Sequence, residues 1–259
     1  MTQLKTVKTR AAEIPYLECG EGPPLVFLHG AGGLTPEDPI LAALARTHHV
    51  YAPYLPGYGE TDDCPELRDM LDYTLHGWDV VDALGLTDPV LVGHSMGGMI
   101  AAEMAAIAPR DVSRLALICP AGLWLDAHPI PDLFTLLPYE MPKYLFHDAE
   151  AGAALMTAGL KMDDPKFLQT YLIRNARQMG MAGKLLFPIP DRGLAQRLYR
   201  IRANTVIVWA DSDRLIPPVY GGYFQAGIAG SRLVSVPEAG HMVITERPDA
   251  VAEAIGGLG

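Results

Sequence analysis

The sequence predicts an α/β fold, with a mostly parallel sheet covered by helices on both faces. Three observations carry this. Apolar runs at residues 25–28 (LVFL), 90–92 (VLV), 115–119 (LALIC) and 206–209 (VIVW) are continuous rather than alternating. Strands buried on both faces of a parallel sheet read this way. Segments with helical spacing separate these runs, as helices crossing back over a sheet require. Hydrophobic residues make up 49% of 259 positions, enough for a large buried core and too many for disorder.

Taken in order, the first twenty residues suit a leading hairpin, closed by the turn-like GEGPP at 20–24. Residues 50–52 and 233–236 are weaker strand candidates. In ELRDMLDYTLHGWDVVDALGL (66–86), Leu67, Met70, Leu71, Leu75, Trp78, Val81 and Leu84 recur at helical spacing, with Arg68, Asp69, Asp72, Asp79 and Asp82 largely off that face. This predicts an amphipathic helix stopping near Gly85. MGGMIAAEMAAIAP (96–109) is apolar nearly all round and predicts a buried helix ending at Pro109. From about 126 to 197 the strand rhythm is lost. That stretch is rich in Leu, Met, Ala and Pro, with helix-like pieces at 149–160 and 165–181. It reads as a helical insertion between two strands.

Bulk properties exclude several function classes. The formal net charge of −10 disfavours a nucleic-acid surface, which needs clustered Lys and Arg. The first 22 residues hold no apolar run of roughly 7–15 residues, so no secretory signal is expected. No apolar stretch reaches roughly 18 residues, so no membrane span is expected. Cys19, Cys64 and Cys119 are few, odd in number and far apart, which fits a reducing cytoplasm better than disulfides or zinc. Cys119, inside an apolar run, reads as plain core packing. No cofactor or metal is expected. The oligomeric state is open between monomer and homodimer.

The stretch VLVGHSMGGMI (90–100) carries the chemistry. An apolar strand, then small-x-Ser-x-small, then a helix is the nucleophile-elbow pattern. Gly93 and Gly97 let strand and helix backbones approach, Ser95 is the nucleophile candidate, and the N–H of Met96 faces any oxyanion formed beside it. The plain reading is a tight turn whose serine caps the helix. His241, in the turn-like EAGHM after a candidate strand, is the candidate base. Asp213, with Asp211 as the alternative, follows the strand VIVWA and is the candidate orienting acid. Alone, each could be a loop histidine or a turn aspartate. Together they stand in the order Ser, acid, His, each beyond a strand's carboxyl end, where open sheets bind ligands. LVFLHGAGG (25–33) adds a strand and glycine turn whose Ala31 N–H, or alternatively Gly32 N–H, is a second oxyanion donor. A nucleotide loop fits poorly: no Lys follows the glycines, Thr35 breaks G-x-G-x-x-G, and Tyr54 stands where a ribose-binding acid belongs.

These residues resemble the α/β-hydrolase superfamily, in HGAGG (29–33), LPGYGETD (55–62), GHSMGG (93–98), DRLIP (213–217) and GHMVITERP (240–248). The resemblance implies an eight-stranded, mostly parallel sheet, with 1–125 and 198–259 as the core domain and 126–197 as a helical cap over the site. It assigns Ser95 as nucleophile, His241 as base and Asp213 as acid. Ala52-Pro53-Tyr54 and Ala210 depart from the usual pattern, and the serine argues against the aspartate-dependent dehalogenase and epoxide-hydrolase branches. The implied activity is a cofactor-independent carboxylesterase acting on small-molecule esters of short to medium acyl chains. Cleavage of carbon–carbon bonds in ring-fission products, or of lactones or amides, is the alternative. A non-enzymatic small-molecule receptor is a third reading. Trp124, Leu123, Leu215 and Met242 are candidate substrate contacts.

Overall fold

The computed structural model describes residues 1–59, 61–161 and 163–258. Glu60 of the LPGYGETD motif, Met162 of the insertion and the terminal Gly259 lie outside them. The continuous apolar runs form strands, and the first twenty residues form the expected hairpin. The elements run β1 (Gln3–Lys8), β2 (Glu13–Cys19), β3 (Pro24–Leu28), α1 (Pro39–Leu44), β4 (His49–Pro53), α2 (Met70–Ala83), β5 (Val90–His94), α3 (Met96–Ile107) and β6 (Arg114–Ile118). Then come α4 (Met141–Leu145), α5 (Ala149–Thr157), α6 (Pro165–Leu186), β7 (Asn204–Ala210), α7 (Val219–Gly227), β8 (Arg232–Val236), α8 (Val243–Glu246) and α9 (Pro248–Gly256).

One eight-stranded sheet has the order β1-β2-β4-β3-β5-β6-β7-β8. β2 pairs antiparallel with both β1 and β4, and every other pairing is parallel. β5, at the centre, is buried along its whole length, as its unbroken apolar run requires. α3 packs under it with all but its last residue buried. The carboxyl ends of β5, β7 and β8 therefore share one edge of the sheet.

The face that α2 buries keeps Met70 and Val81 of the expected one but leaves out Leu71 and Leu75. Asp69 caps the helix, its side chain accepting from the N–H groups of Leu71 and Asp72. Met70, Tyr73, Thr74, Gly77, Val80 and Val81 are buried, whereas Leu71 and Leu75 are 54% and 47% exposed. The cause is Gly77. A Cβ there would sit 2.5 Å from the Met104 sulfur of α3, so the glycine side is where the helices meet. Counting large apolar residues alone rotates the face away from this small-residue contact.

Between β6 and β7 the described residues form no strand, only α4–α6 and short 3₁₀ turns. The C-terminal end of α6 is anchored by buried Met181, Ala182 and Leu185. At the end of this stretch Arg197 donates from Nε to a Glu103 carboxylate oxygen at 2.8 Å, Glu103 being buried in α3. No helix among the described residues is long and apolar enough to cross a membrane.

Candidate active site

Ser95 sits between β5 and α3 with φ 54° and ψ −117°, a backbone conformation costly for any residue with a Cβ. Neighbouring groups hold it there. Its N–H donates to Ile118 O at 2.9 Å, and its carbonyl accepts from Ala121 N at 3.0 Å and Met99 N at 3.1 Å. The flanking glycines allow the approach: a Cβ on Gly93 would lie 2.3 Å from Gly97 O, and one on Gly97 2.1 Å from Leu28 O. The crowding of glycines around this serine is thus a requirement of backbone contact.

Asp213 lies in the turn after β7. Its Oδ1 accepts from the N–H groups of Leu215 (3.0 Å) and Ile216 (2.8 Å), which aims Oδ2 at His241 Nδ1, 2.8 Å away. Asp211 is exposed and instead accepts from Ser212 Oγ. His241 Nε2 lies 2.8 Å from Ser95 Oγ. A carboxylate only accepts, so Nδ1 carries the imidazole proton and Nε2 is free to accept from the serine hydroxyl. All three side chains are buried.

Two further histidines brace this arrangement. His94 Nε2–H donates to the main-chain carbonyl of His241 at 2.9 Å, and burial pushes its pKa down to about 3. His29 Nδ1–H donates to Gly30 O at 2.8 Å while its Nε2 accepts from Leu55 N–H at 3.1 Å. Burial lowers its pKa to about 4. His29 thereby fixes the glycine turn after β3, where a Cβ on Gly30 would lie 3.2 Å from Ser95 Cβ. Among the described residues, the N–H groups of Met96 and Ala31 find no acceptor.

The stretch between β6 and β7 adds supports that no sequence pattern signals. Glu246 accepts from Gly240 N (2.7 Å) and His147 N (2.9 Å), tying the His241 turn to the α4–α5 junction. Arg214, next to the acid, donates to the Phe146 carbonyl at 3.0 Å. Cys119, with φ 40°, is fully buried in the core, as its apolar run predicts. Its sulfur, a carboxylate oxygen of Asp213 and a ring nitrogen of His241 lie within 4.8 Å of one another, a spacing that a metal ion could bridge. Burial and the adjacent Asp213 push the thiol pKa well above its usual range. It therefore offers S–H rather than a thiolate ligand, while Asp213 and His241 already engage each other.

An apolar cleft with about 460 Å³ of space opens onto Ser95, part of it continuous with solvent. Trp124 and Leu215 line it, together with Leu133, Phe134 and Leu186. Leu123 and Met242, expected as contacts, are not among its walls. Leu123 is buried in the core after the turn at Gly122 (φ 111°). Met242 donates its N–H to Leu145 O and packs against the core.

A family model described as the alpha/beta hydrolase family matches residues 25–254. The chain belongs to this family. Within it, the chain is 26% identical over 263 residues to Lipase 1 of Psychrobacter immobilis, covering 92% of this chain and 78% of that one. It is 26% identical over 260 residues to the 2-hydroxy-6-oxo-6-(2'-aminophenyl)hexa-2,4-dienoic acid hydrolase of Metapseudomonas resinovorans, covering 96% and 88%. Among solved structures, a bacterial membrane phospholipase A superposes with a TM-score of 0.79 at 25% identity, covering 99% of this chain and 85% of that one.

Proposed function

We propose that this alpha/beta hydrolase cleaves small-molecule carboxylic esters of short to medium acyl chains through an acyl-enzyme. The observation that carries this is the unbroken hydrogen-bonded series from Asp213 through His241 to Ser95, at 2.8 Å for each link. As Ser95 Oγ attacks the ester carbonyl, His241 Nε2 takes its proton and the carbonyl π pair moves onto oxygen. Asp213 holds the imidazole tautomer and steadies the imidazolium. The N–H groups of Met96 and Ala31 receive the oxyanion, a contribution of about 10²–10³ in rate per donor. The imidazolium then protonates the departing alkoxide. Water enters with His241 again as base, and the carboxylic acid leaves. In this reading 126–197 serves as the cap, supported by the contribution of residues 130–134 and of Leu186, Pro188 and Pro190 to the cleft.

Carbon–carbon cleavage is the second reading, favoured by the dienoic acid hydrolase among the relatives. The cleft speaks against it. A dienoate carries a carboxylate that must be partnered when taken from water, and no Lys or Arg is among the described residues that line the cleft.

The test is Ser95→Ala assayed with p-nitrophenyl esters of two to eight carbons, with a fluorophosphonate adduct mapped by mass spectrometry. Loss of turnover and an adduct on Ser95 are expected. Unchanged turnover, or labelling elsewhere, would refute the assignment. A ring-fission dienone with the higher kcat/KM would favour the second reading.

A further inference from the structure

The cleft's one charged wall residue bears on which esters it accepts. Among the described residues lining it, Asp132 alone carries an ionisable side chain, and the rest of the lining is almost wholly apolar. Asp132 is half-buried. Its Oδ1 accepts from Phe134 N–H at 2.9 Å, and its main-chain carbonyl accepts from Thr135 Oγ1 at 2.9 Å, so the turn fixes the carboxylate's position. No Lys, Arg or His among the described residues forms an ion pair with it. Two aromatic side chains, Trp124 and Phe134, share the same cleft. The Trp124 N–H donates to Asp126 outside the cleft lining, which leaves the indole ring as that residue's contribution to the wall.

An uncompensated carboxylate beside aromatic rings is a combination that attracts organic cations. Ring faces carry negative quadrupole density, and quaternary ammonium groups bind where such faces meet an anion with little competing water. An anionic substrate meets the opposite field, which the apolar walls screen less than bulk water would. We propose that Asp132 is a specificity-determining residue that makes the cleft prefer esters bearing an alkylammonium group and reject those bearing a carboxylate. The inference rests on the ester-hydrolase reading, because it concerns which esters reach Ser95.

The test uses three p-nitrophenyl acyl esters of equal chain length, ending in trimethylammonium, tert-butyl or carboxylate. Wild-type kcat/KM falls in that order, with the cationic ester favoured over the anionic one by about tenfold or more at low salt. Asp132→Asn keeps an oxygen to accept from Phe134 N–H and removes only the charge. It should lower the cation-to-anion ratio about tenfold while leaving the tert-butyl ester within about twofold. Asp111→Asn, an exposed acid preceding β6 at the opposite edge of the sheet, controls for the general field of an acidic chain and should leave the ratio unchanged. A ratio that Asp132→Asn leaves within twofold of wild type, or that Asp111→Asn changes as much, overturns the proposal.

Binding separates this failure from failure of the ester-hydrolase reading. Hexyltrimethylammonium and heptanoate are titrated against wild type and Asp132→Asn, read by competition with a neutral fluorescent probe of the cleft. Tighter binding of the ammonium ligand, lost in Asp132→Asn, upholds the charge selection whatever bond is cleaved. Equal affinities in both proteins overturn it even if the tert-butyl ester is a good substrate.

Discussion

Ser95 is at once the most reactive and the most strained residue of the proposed site. Its φ of 54° is held by three backbone hydrogen bonds, and such conformations cost on the order of 1–3 kcal/mol for a residue with a Cβ. Glycine carries no such penalty, although it adds freedom to the unfolded chain. Ser95→Gly should therefore be more stable than Ser95→Ala by about 1 kcal/mol in urea unfolding, with both inactive. Equal midpoints would mean that the elbow stores no strain. His29 and His94 make a second demand. Burial lowers their pKa values from 6.5 to about 4 and about 3, so below pH 6.5 the unfolded chain binds protons that the native state refuses. Stability present above pH 6.5 is lost as pH falls through this window towards those values. At pH 5 each histidine costs about 2 kcal/mol relative to pH 7 and above. Urea unfolding at pH 7 and pH 5 checks this, and a flat profile contradicts it.

α2 and the elbow show how much an element reveals before its neighbours are known. The elbow was legible because its constraint is local: an apolar run, a serine and three glycines fall within the nine residues 90–98, and both close approaches involve backbone. The strands were legible for a similar reason, since burial on two faces removes polar residues. α2 was legible as a helix but not in its orientation. Its packed face is set by Gly77 against Met104 of α3, a partner distant in sequence. Cys119 was invisible as a neighbour of Asp213 because that contact joins the ends of β6 and β7. The corrected face of α2 has a measurable consequence. Leu75→Lys, on the exposed side, should change stability by less than about 0.5 kcal/mol. Val80→Ala, at a buried position outside the expected face, should cost about 2 kcal/mol. The reverse ranking would restore the expected face.

Across the whole molecule, the parallel sheet order brings the ends of β5, β7 and β8 together, and the stretch between β6 and β7 is fastened to the surrounding elements at several places. The fastenings differ in kind. Glu103 and Arg197 pair between α3 and the end of the insertion, away from the reacting groups, with Glu103 1% exposed and the Arg197 side chain 34% exposed. Removing Glu103 leaves a guanidinium short of its partner, but solvent reaches it, so Glu103→Ala should cost about 2 kcal/mol rather than the full penalty of a dry pair. Glu246 instead joins the α4–α5 junction to Gly240, the residue before His241. Its loss loosens the turn that sets the distance from imidazole to Ser95, and small misplacements of a reacting group are expensive in rate. Glu246→Ala should lower kcat about tenfold, with KM within about twofold, because the proposed base, His241, moves while the cleft walls stay. Glu103→Ala, measured well below its unfolding temperature, should keep kcat within about twofold. If Glu103→Ala lost kcat and Glu246→Ala did not, the insertion would control the site through α3 rather than through the His241 turn.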